Sequence, residues 1–408
     1  MTKSPPPLWT KEGRQDPPAW YRYMREHEPV TYHEEIDAYG LFRYEDIRQV
    51  FLDDVNWSVE RRFDSLPEDQ RDLHLLANTL NGIDPPEHKR VRTLAMPSVA
   101  PNQIAKLEPM VQEICAELLD ALVPRGRFDF ANEFAHPFVQ MVINSVVGIP
   151  REDYLLSKGI SDRMEKCSAR FVGGPFSDPD ELRKINQEYR DYFAPIIEAR
   201  RHCDHGDVMS KLVQAEQEGD RLSTEELFKM AMIFNRGGAD TTMTGITQML
   251  RLMIEYPDQY QKVREDRSLA ASAVDECLRF YPPSHSMSRV ATHDVTIDGM
   301  TIPAGKTVLL WLPSGNRDPA AFPDPERFDV TRRPNRHLSL GLGIHVCIGM
   351  HLARLEMRVA LEQWMDRVES FERAETGPIP WNQNTLIAVV PLSFPVNVTP
   401  AVEPALSH

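Results

Sequence analysis

Apolar residues recur at three- and four-residue spacing along most of this chain. Residues 104–123 (IAKLEPMVQEICAELLDALV) and 352–368 (LARLEMRVALEQWMDRV) show the pattern most clearly, and each predicts an amphipathic helix. Strict alternation is rarer and local. VTIDGMTIPAGKTVLLWLP places an Asp298-Gly299 pair between alternating segments, which predicts a hairpin. The expected fold class is therefore mainly α with small β-sheets. One predicted helix is unusually long. Ser223-Thr224-Glu225-Glu226 is a capping box, and the helical pattern then runs to Tyr256, where Pro257 stops it. Yet its middle reads RGGADTT, Arg236 to Thr242. Two adjacent glycines inside a helix cost roughly 0.5–1 kcal/mol each relative to alanine. Close packing against another helix, or a kink, accounts for them; so does a flat, bulky group that must approach the backbone.

Length and composition change this picture little. The 408 residues alone suggest two or three domains, but no repeat or low-complexity linker divides them. Asp plus Glu number 61 against 46 for Lys plus Arg, a net charge of -15, which argues against a generic nucleic-acid or membrane-surface binder. The N-terminus has no apolar signal-peptide core, and nowhere do about 18 uninterrupted apolar residues occur, so a cytoplasmic location is expected. Proline-rich ends, residues 1–19 and 399–408, read as flexible termini. The cysteines, Cys115, Cys167, Cys203, Cys277 and Cys347, are odd in number and widely spaced, which fits reduced thiols. Cys115 and Cys277 lie in apolar helical patterns and read as core residues.

Cys347 differs from the others. GLGIHVCIGMHLAR, Gly341 to Arg354, places it in a small-residue loop between two histidines, just ahead of a predicted helix. Backbone N–H groups and the positive end of that helix favour its thiolate. A buried structural cysteine is one reading. A zinc site from His345, Cys347 and His351 is another, although no CxxC pair stands nearby. A nucleophile would need a base that the sequence does not identify. A thiolate ligand to haem iron is the fourth.

The wider pattern favours the last. Gly341 to Gly349 resembles the haem-binding loop of the cytochrome P450 family, FGxGxHxCxG, with Leu340 where phenylalanine is usual. Further motifs follow in the family's order. Asp84-Pro85-Pro86-Glu87-His88-Lys89-Arg90-Val91-Arg92 is similar to its DPPEHxxxR segment, and Gly237-Gly238-Ala239-Asp240-Thr241 to its oxygen-groove motif. Glu276-Cys277-Leu278-Arg279 resembles its ExxR motif, Ser288-Arg289-Val290 its haem-contacting arginine segment, and Pro325-Glu326-Arg327-Phe328 its PERF motif.

The resemblance covers about Trp20 to Val398 and implies one haem-thiolate monooxygenase domain over residues 1–408, of the P450-type fold. Haem b would lie between the long helix and the helix after Cys347, its iron bound by Cys347 and its ring beside Gly237, Gly238 and Gly349. His88, Arg92, Arg289 and His345 match positions that hold the haem carboxylates, which burial requires to be paired. The leucine at 340 would alter the sulfur's surroundings without removing the ligand. Asp240 is implied as proton-supplying acid and Thr241 as the alcohol that steadies oxygen. Glu276, Arg279 and Arg327 are implied as a structural cluster supporting the cysteine loop.

Pocket positions map to roughly Leu73–Ile83, Arg163–Pro179, Ile233–Arg236, Ser284–Met287 and Asn384–Ile387, with Ile233, Arg236, His285, Met287 and Leu386 as candidate substrate contacts. Most are apolar or small, so a modest lipophilic substrate is expected. Arg236 is the exception, read as an ion-pair partner of Asp240, an outward-facing arginine, or an anchor for a substrate carboxylate. Electrons would come from a small ferredoxin or flavodoxin with its NAD(P)H reductase, docking on a cationic patch of Arg90, Arg92 and Arg354. A peroxide-driven oxygenase and a non-catalytic thiolate-haem sensor are the alternatives; both are disfavoured by the intact Asp240–Thr241 pair.

Overall fold

The long helix forms as its ends dictate. In the computed structural model, which describes residues 5–10, 12–13, 17–64, 66–71, 73, 77–167, 176–382 and 390–401, Thr224–Glu255 is one continuous helix of 32 residues. The Glu226 N–H donates to Ser223 Oγ (3.2 Å) and the Ser223 N–H donates to the Glu226 carboxylate (2.7 Å), closing the predicted capping box. Pro257 ends it by opening the next helix, Pro257–Glu265.

Met350–Arg367 is the helix predicted over 352–368. The segment predicted as one helix over 104–123 is divided. A turn at Pro101–Ile104 and a 3-10 turn at Ala105–Leu107 precede a helix at Glu108–Leu122. Pro109 explains the break, since a residue without an N–H fits only a first helical turn.

The strands are as few as the pattern implied. Val295–Ile297 and Met300–Ile302 pair across Asp298 and Gly299, both with positive φ (48° and 79°), as a two-residue hairpin requires. The largest sheet has five strands in the order Val30–His33, Ala38–Leu41, Thr307–Trp311, Ser286–Ala291 and Trp57–Ser58. Register sets Val308 opposite Arg289 and Leu310 opposite Met287, so this sheet delivers residues 286–290 to the central cavity.

One apolar core runs through the helices and includes Phe134, Phe138, Phe193 and Trp364. His136–Val147 runs antiparallel to the long helix and packs closely on it. A Cβ on Gly238 would lie 2.6 Å from Ile143 Cδ1, whereas one on Gly237 would meet nothing within 4 Å. The two glycines therefore have separate reasons. Gly238 admits a neighbouring helix, and Gly237 keeps a cavity wall flat.

The N-terminal end differs from expectation. Leu8 is buried, and the Trp9 ring lies 5.7 Å from Trp20 and 4.7 Å from His33. Apolar burial holds this part of the segment expected to be loose. At the other end, Pro395–Pro400 is a strand. Among the described residues no helix is long and apolar enough to cross a membrane.

Candidate active site

A cavity of about 980 Å³ lies between the long helix and the cysteine loop. The helix contributes Ile233, Phe234, Gly237, Gly238 and Thr241, and the loop contributes Leu340, His345, Cys347 and Gly349. Of the five cysteines, Cys347 alone lines it.

The loop is shaped by glycine and tied down by its backbone. Gly343 has φ +68°, and a Cβ there would come within 2.6 Å of the Phe51 carbonyl oxygen, so no other residue fits. The Cys347 N–H donates to Leu340 O (2.8 Å), and Arg92 Nη2 donates to Val346 O (2.8 Å). Burial pushes the Cys347 thiol up, while the Gly349 N–H, Arg92 and Arg354 pull it back toward the thiolate. His345 lies against His88, ring centroids 4.1 Å apart. Among the described residues no group of three or more His, Cys, Asp or Glu side chains is placed to hold a metal ion, so His345, Cys347 and His351 do not converge as the zinc reading requires.

On the long helix, Thr241 Oγ1 donates to the Gly237 carbonyl one turn earlier (2.8 Å), which holds the hydroxyl beside the cavity. Asp240, the next residue back, is half-buried.

At one edge of the cavity, lined by Arg62, Arg289 and His345, cationic groups crowd together; His88 and Arg92 line the neighbouring groove, with His88 against His345. Burial lowers His345 to about 2, with Arg289, His88, Arg62 and Arg92 adding to the effect. Burial and then Arg92 lower His88 to about 4. Arg62 falls to about 9, through burial and then Arg289, and Arg289 falls to about 10 through burial. Asp84 is the carboxylate that opposes the shifts of His88, Arg62 and Arg289. It is already engaged by Ser58 Oγ and by the Val59 N–H (2.9 Å). His88 Nε2 is buried without a hydrogen-bond partner. Such a cluster suits a ligand bearing two carboxylates beside a flat apolar ring, and the residues present fit a haem.

The expected Glu–Arg–Arg cluster exists with one member changed. Arg279 Nε and Nη2 each donate to Glu276 at 2.8 Å, with both side chains fully buried. The third cation is Arg332, whose Nε lies 3.2 Å from Glu276. Arg327 is not the third member: its side chain is 62% exposed and faces Asp329 at 3.7 Å. Only its backbone takes part, the carbonyl accepting from Arg279 Nη2 and Arg332 Nη2, both at 3.1 Å. Motif position alone did not tell a side chain from a carbonyl.

Of the candidate substrate contacts, Ile233 and Met287 line the cavity. His285 does not; its Nδ1 lies 3.0 Å from Tyr21 OH, and burial lowers it to about 4. Ser284, Ser286 and Ser288 take the wall positions around it. Leu386 and the side chain of Arg236 lie outside the described residues. The anticipated cationic patch is largely neutralised. Arg90 engages Glu87, Asp220 and Glu226, and Arg354 engages Asp275 (2.8 Å). Glu87 is visible in the local motif, but Asp220, Glu226 and Asp275 come from other elements.

Sequence reasoning also missed Arg62. Its Nε donates to Val59 O (2.6 Å) and its Nη2 to Asn81 O (2.5 Å), inside the cavity wall. Nothing in the local pattern RRFDS separates it from exposed Arg61.

A thiol in a glycine-shaped loop, a long helix with a tethered threonine and a cation-rich edge together define a haem-thiolate oxygenase. The chain matches the family model described as Cytochrome P450 over residues 31–397. It is 36% identical over 352 residues to the vitamin D(3) 25-hydroxylase of Pseudonocardia autotrophica, covering 85% of each chain. It is 34% identical over 377 residues to the cyclomarin C epoxidase of Salinispora arenicola, covering 92% of this chain and 93% of that one. Among solved structures, a Bacillus megaterium P450 in complex with testosterone superposes with a TM-score of 0.83 at 28% identity, over 93% of this chain and 99% of the other. The chain belongs to the cytochrome P450 family and is a monooxygenase with a haem-thiolate cofactor.

Proposed function

We propose that this P450 inserts one atom of O2 into a C–H bond or alkene of a compact lipophilic molecule of steroid-like size. The single observation that carries this is the cavity, about 980 Å³ to be shared by cofactor and substrate. Its substrate-facing walls are Ile143, Val146, Ile233, Phe234 and Met287. The names of the hydroxylase and epoxidase relatives, and a relative that holds testosterone, support the class.

When bound, the haem supplies dioxygen binding and O–O cleavage, which a thiolate ligand promotes. Cys347 is the ligand in this reading. His88, Arg92, Arg289 and His345, joined by Arg62, bind the two carboxylates. Gly237 leaves room for the ring. The Thr241 hydroxyl, tethered to the Gly237 carbonyl, presents a hydrogen-bonding oxygen to the reacting site, and Asp240 feeds protons to it. A small ferredoxin or flavodoxin with its NAD(P)H reductase supplies electrons. A shallow groove of Lys89, Thr93, Met96 and Ile344, next to the cysteine loop, supports a docking place there.

With such redox partners and a steroid panel, product carrying one oxygen atom from labelled O2 is expected. Thr241→Ala should lower product per NAD(P)H several-fold and divert oxygen to hydrogen peroxide. Product formed with peroxide alone, and untouched by Thr241→Ala, would favour the peroxide-driven enzyme instead. Arg62→Ala removes a buried, charge-assisted donor, an interaction worth about 1.5–3 kcal/mol. Haem transfer to a scavenging apoprotein should then run roughly ten- to a hundredfold faster, and an unchanged rate would remove Arg62 from the carboxylate site.

A further inference from the structure

The strand Ser286–Ala291 borders the cavity on both of its faces. The Leu312 N–H donates to His285 O (3.0 Å) and the Ala291 N–H to Lys306 O (3.1 Å), so odd-numbered residues direct their backbone groups to the strand Thr307–Trp311. Even-numbered residues turn theirs to the opposite edge. There, among the described residues, Trp57–Ser58 pairs only with Ala291 and Val290, so the edge at Ser288 is open. Side chains alternate between the two faces of the sheet. Met287 and Arg289 take one face. Ser288 takes the other, with Leu309 opposite it and, two residues along, Val290, Thr307 and Ala38 in register. All of these residues line the same cavity.

We propose that Ser288 is a binding residue for one uncharged oxygen of the substrate, a ketone or a hydroxyl, and so fixes which carbon is presented for oxidation. The proposal rests on the reading of a compact lipophilic substrate above and narrows it.

Ser288 is 5% exposed, and its Oγ is buried without a hydrogen-bond partner. A buried hydroxyl left unpaired costs about 1–3 kcal/mol, which a ligand oxygen bound there removes. The Ser288 carbonyl is already engaged, accepting from Arg289 Nη1 (2.8 Å). Its N–H lies on the open edge, so this one residue offers two donors, N–H and Oγ–H, to an acceptor oxygen.

The surroundings select against charge. On this face Leu309, Val290 and Ala38 are buried and apolar, and an ion placed among them would lose its water. Toward the surface the same cavity is lined by Glu34, Glu35, Asp37 and Lys306. Asp37 accepts from Lys306 Nζ (2.6 Å) and from Tyr32 OH (2.6 Å), so that pair is satisfied internally. Glu34 and Glu35 disfavour an anion entering past them. A neutral oxygen on an otherwise apolar skeleton meets none of these penalties.

The test compares the holoenzyme with its Ser288→Ala variant, reading binding from the haem spin-state shift. The probes are androstane, androstanone with its single ketone, and androstane bearing a single carboxylate or a single amine. Wild type is expected to prefer androstanone to androstane. Ser288→Ala should lose about three- to tenfold in affinity for androstanone, the worth of a neutral hydrogen bond, and keep its affinity for androstane. Oxidation of androstanone by the variant should also spread over more carbon positions. Comparing ketone with hydrocarbon inside each protein cancels any general change in the cavity. An androstanone-to-androstane ratio unchanged by Ser288→Ala would overturn the assignment and leave the substrate class standing. Tightest binding of the acid or the amine, lost in Ser288→Ala, would overturn the uncharged acceptor. If wild type neither binds nor oxidises any of the probes, the steroid-sized substrate class falls and the Ser288 subsite falls with it.

Discussion

Cys347→Ser is expected to fold and to lose the strongly red-shifted Soret band of the reduced, carbon monoxide-bound enzyme, with monooxygenase activity falling to background. The loop is fixed by its backbone rather than by the sulfur. The Cys347 N–H to Leu340 O bond, the Arg92 to Val346 O bond and the Gly343 approach to Phe51 all survive the change. What changes is the donor atom. Burial raises the Cys347 thiol, and the Gly349 N–H with the Arg92 and Arg354 charges favours its anion against that effect. An alcohol stays protonated under the same influence and donates too little electron density to drive O–O cleavage. Cys203→Ser, at an exposed position, is the control and should keep the band. A wild-type band in Cys347→Ser would remove the axial assignment, and the roles given to Thr241 and Asp240 would fall with it.

What the sequence made legible was local. Cys347, Thr241, the Ser223 capping box and the Asp298-Gly299 hairpin depend on residues within a few positions of one another, and the structure contains each arrangement. The differences arise where distant segments decide. Arg327 and Arg332 both follow the ExxR helix at plausible distances, but only the path of residues 316–332 determines which guanidinium reaches Glu276. His285 and Met287 share a segment, and packing against Tyr21 draws only the first away from the cavity. Arg90 has one partner on its own helix, Glu87; Asp220 and Glu226, well over a hundred residues on, complete its neutralisation. Arg62 belongs to none of these motifs. Its significance comes from a neighbour supplied by another element, Arg289.

Arg332→Ala should be severely destabilising and Arg327→Ala nearly silent, the reverse of what motif position implies. Arg332 is about 10% exposed and donates through Nε to Glu276, through Nη1 to Pro323 O (2.7 Å) and through Nη2 to Asp324 O (3.1 Å). Removing it takes one of two cations from a fully buried carboxylate, whereas the carbonyls it releases lie at the surface and can turn to water. Breaking a buried charge cluster typically costs about 3–5 kcal/mol; the lower figure applies here, because Arg279 still holds Glu276 bidentately. The damage should spread to the cofactor site. Glu276 also accepts from the Asp329 N–H (2.9 Å) and Asn335 Nδ2 (3.0 Å), pinning the strand of chain that leads into the cysteine loop. Ser339 Oγ reinforces it by donating to Leu278 O (2.6 Å). Arg327→Ala deletes a solvated side chain and keeps its carbonyl, so a change within about 0.5 kcal/mol is expected. Denaturant midpoints and haem content of the two variants, measured side by side, separate the cases. Equal losses, or a greater loss in Arg327→Ala, would return the third place in the cluster to Arg327. A large loss confined to Arg332→Ala, with haem content falling alongside stability, would show that the cluster supports the loop through residues 323–339 rather than merely filling the core.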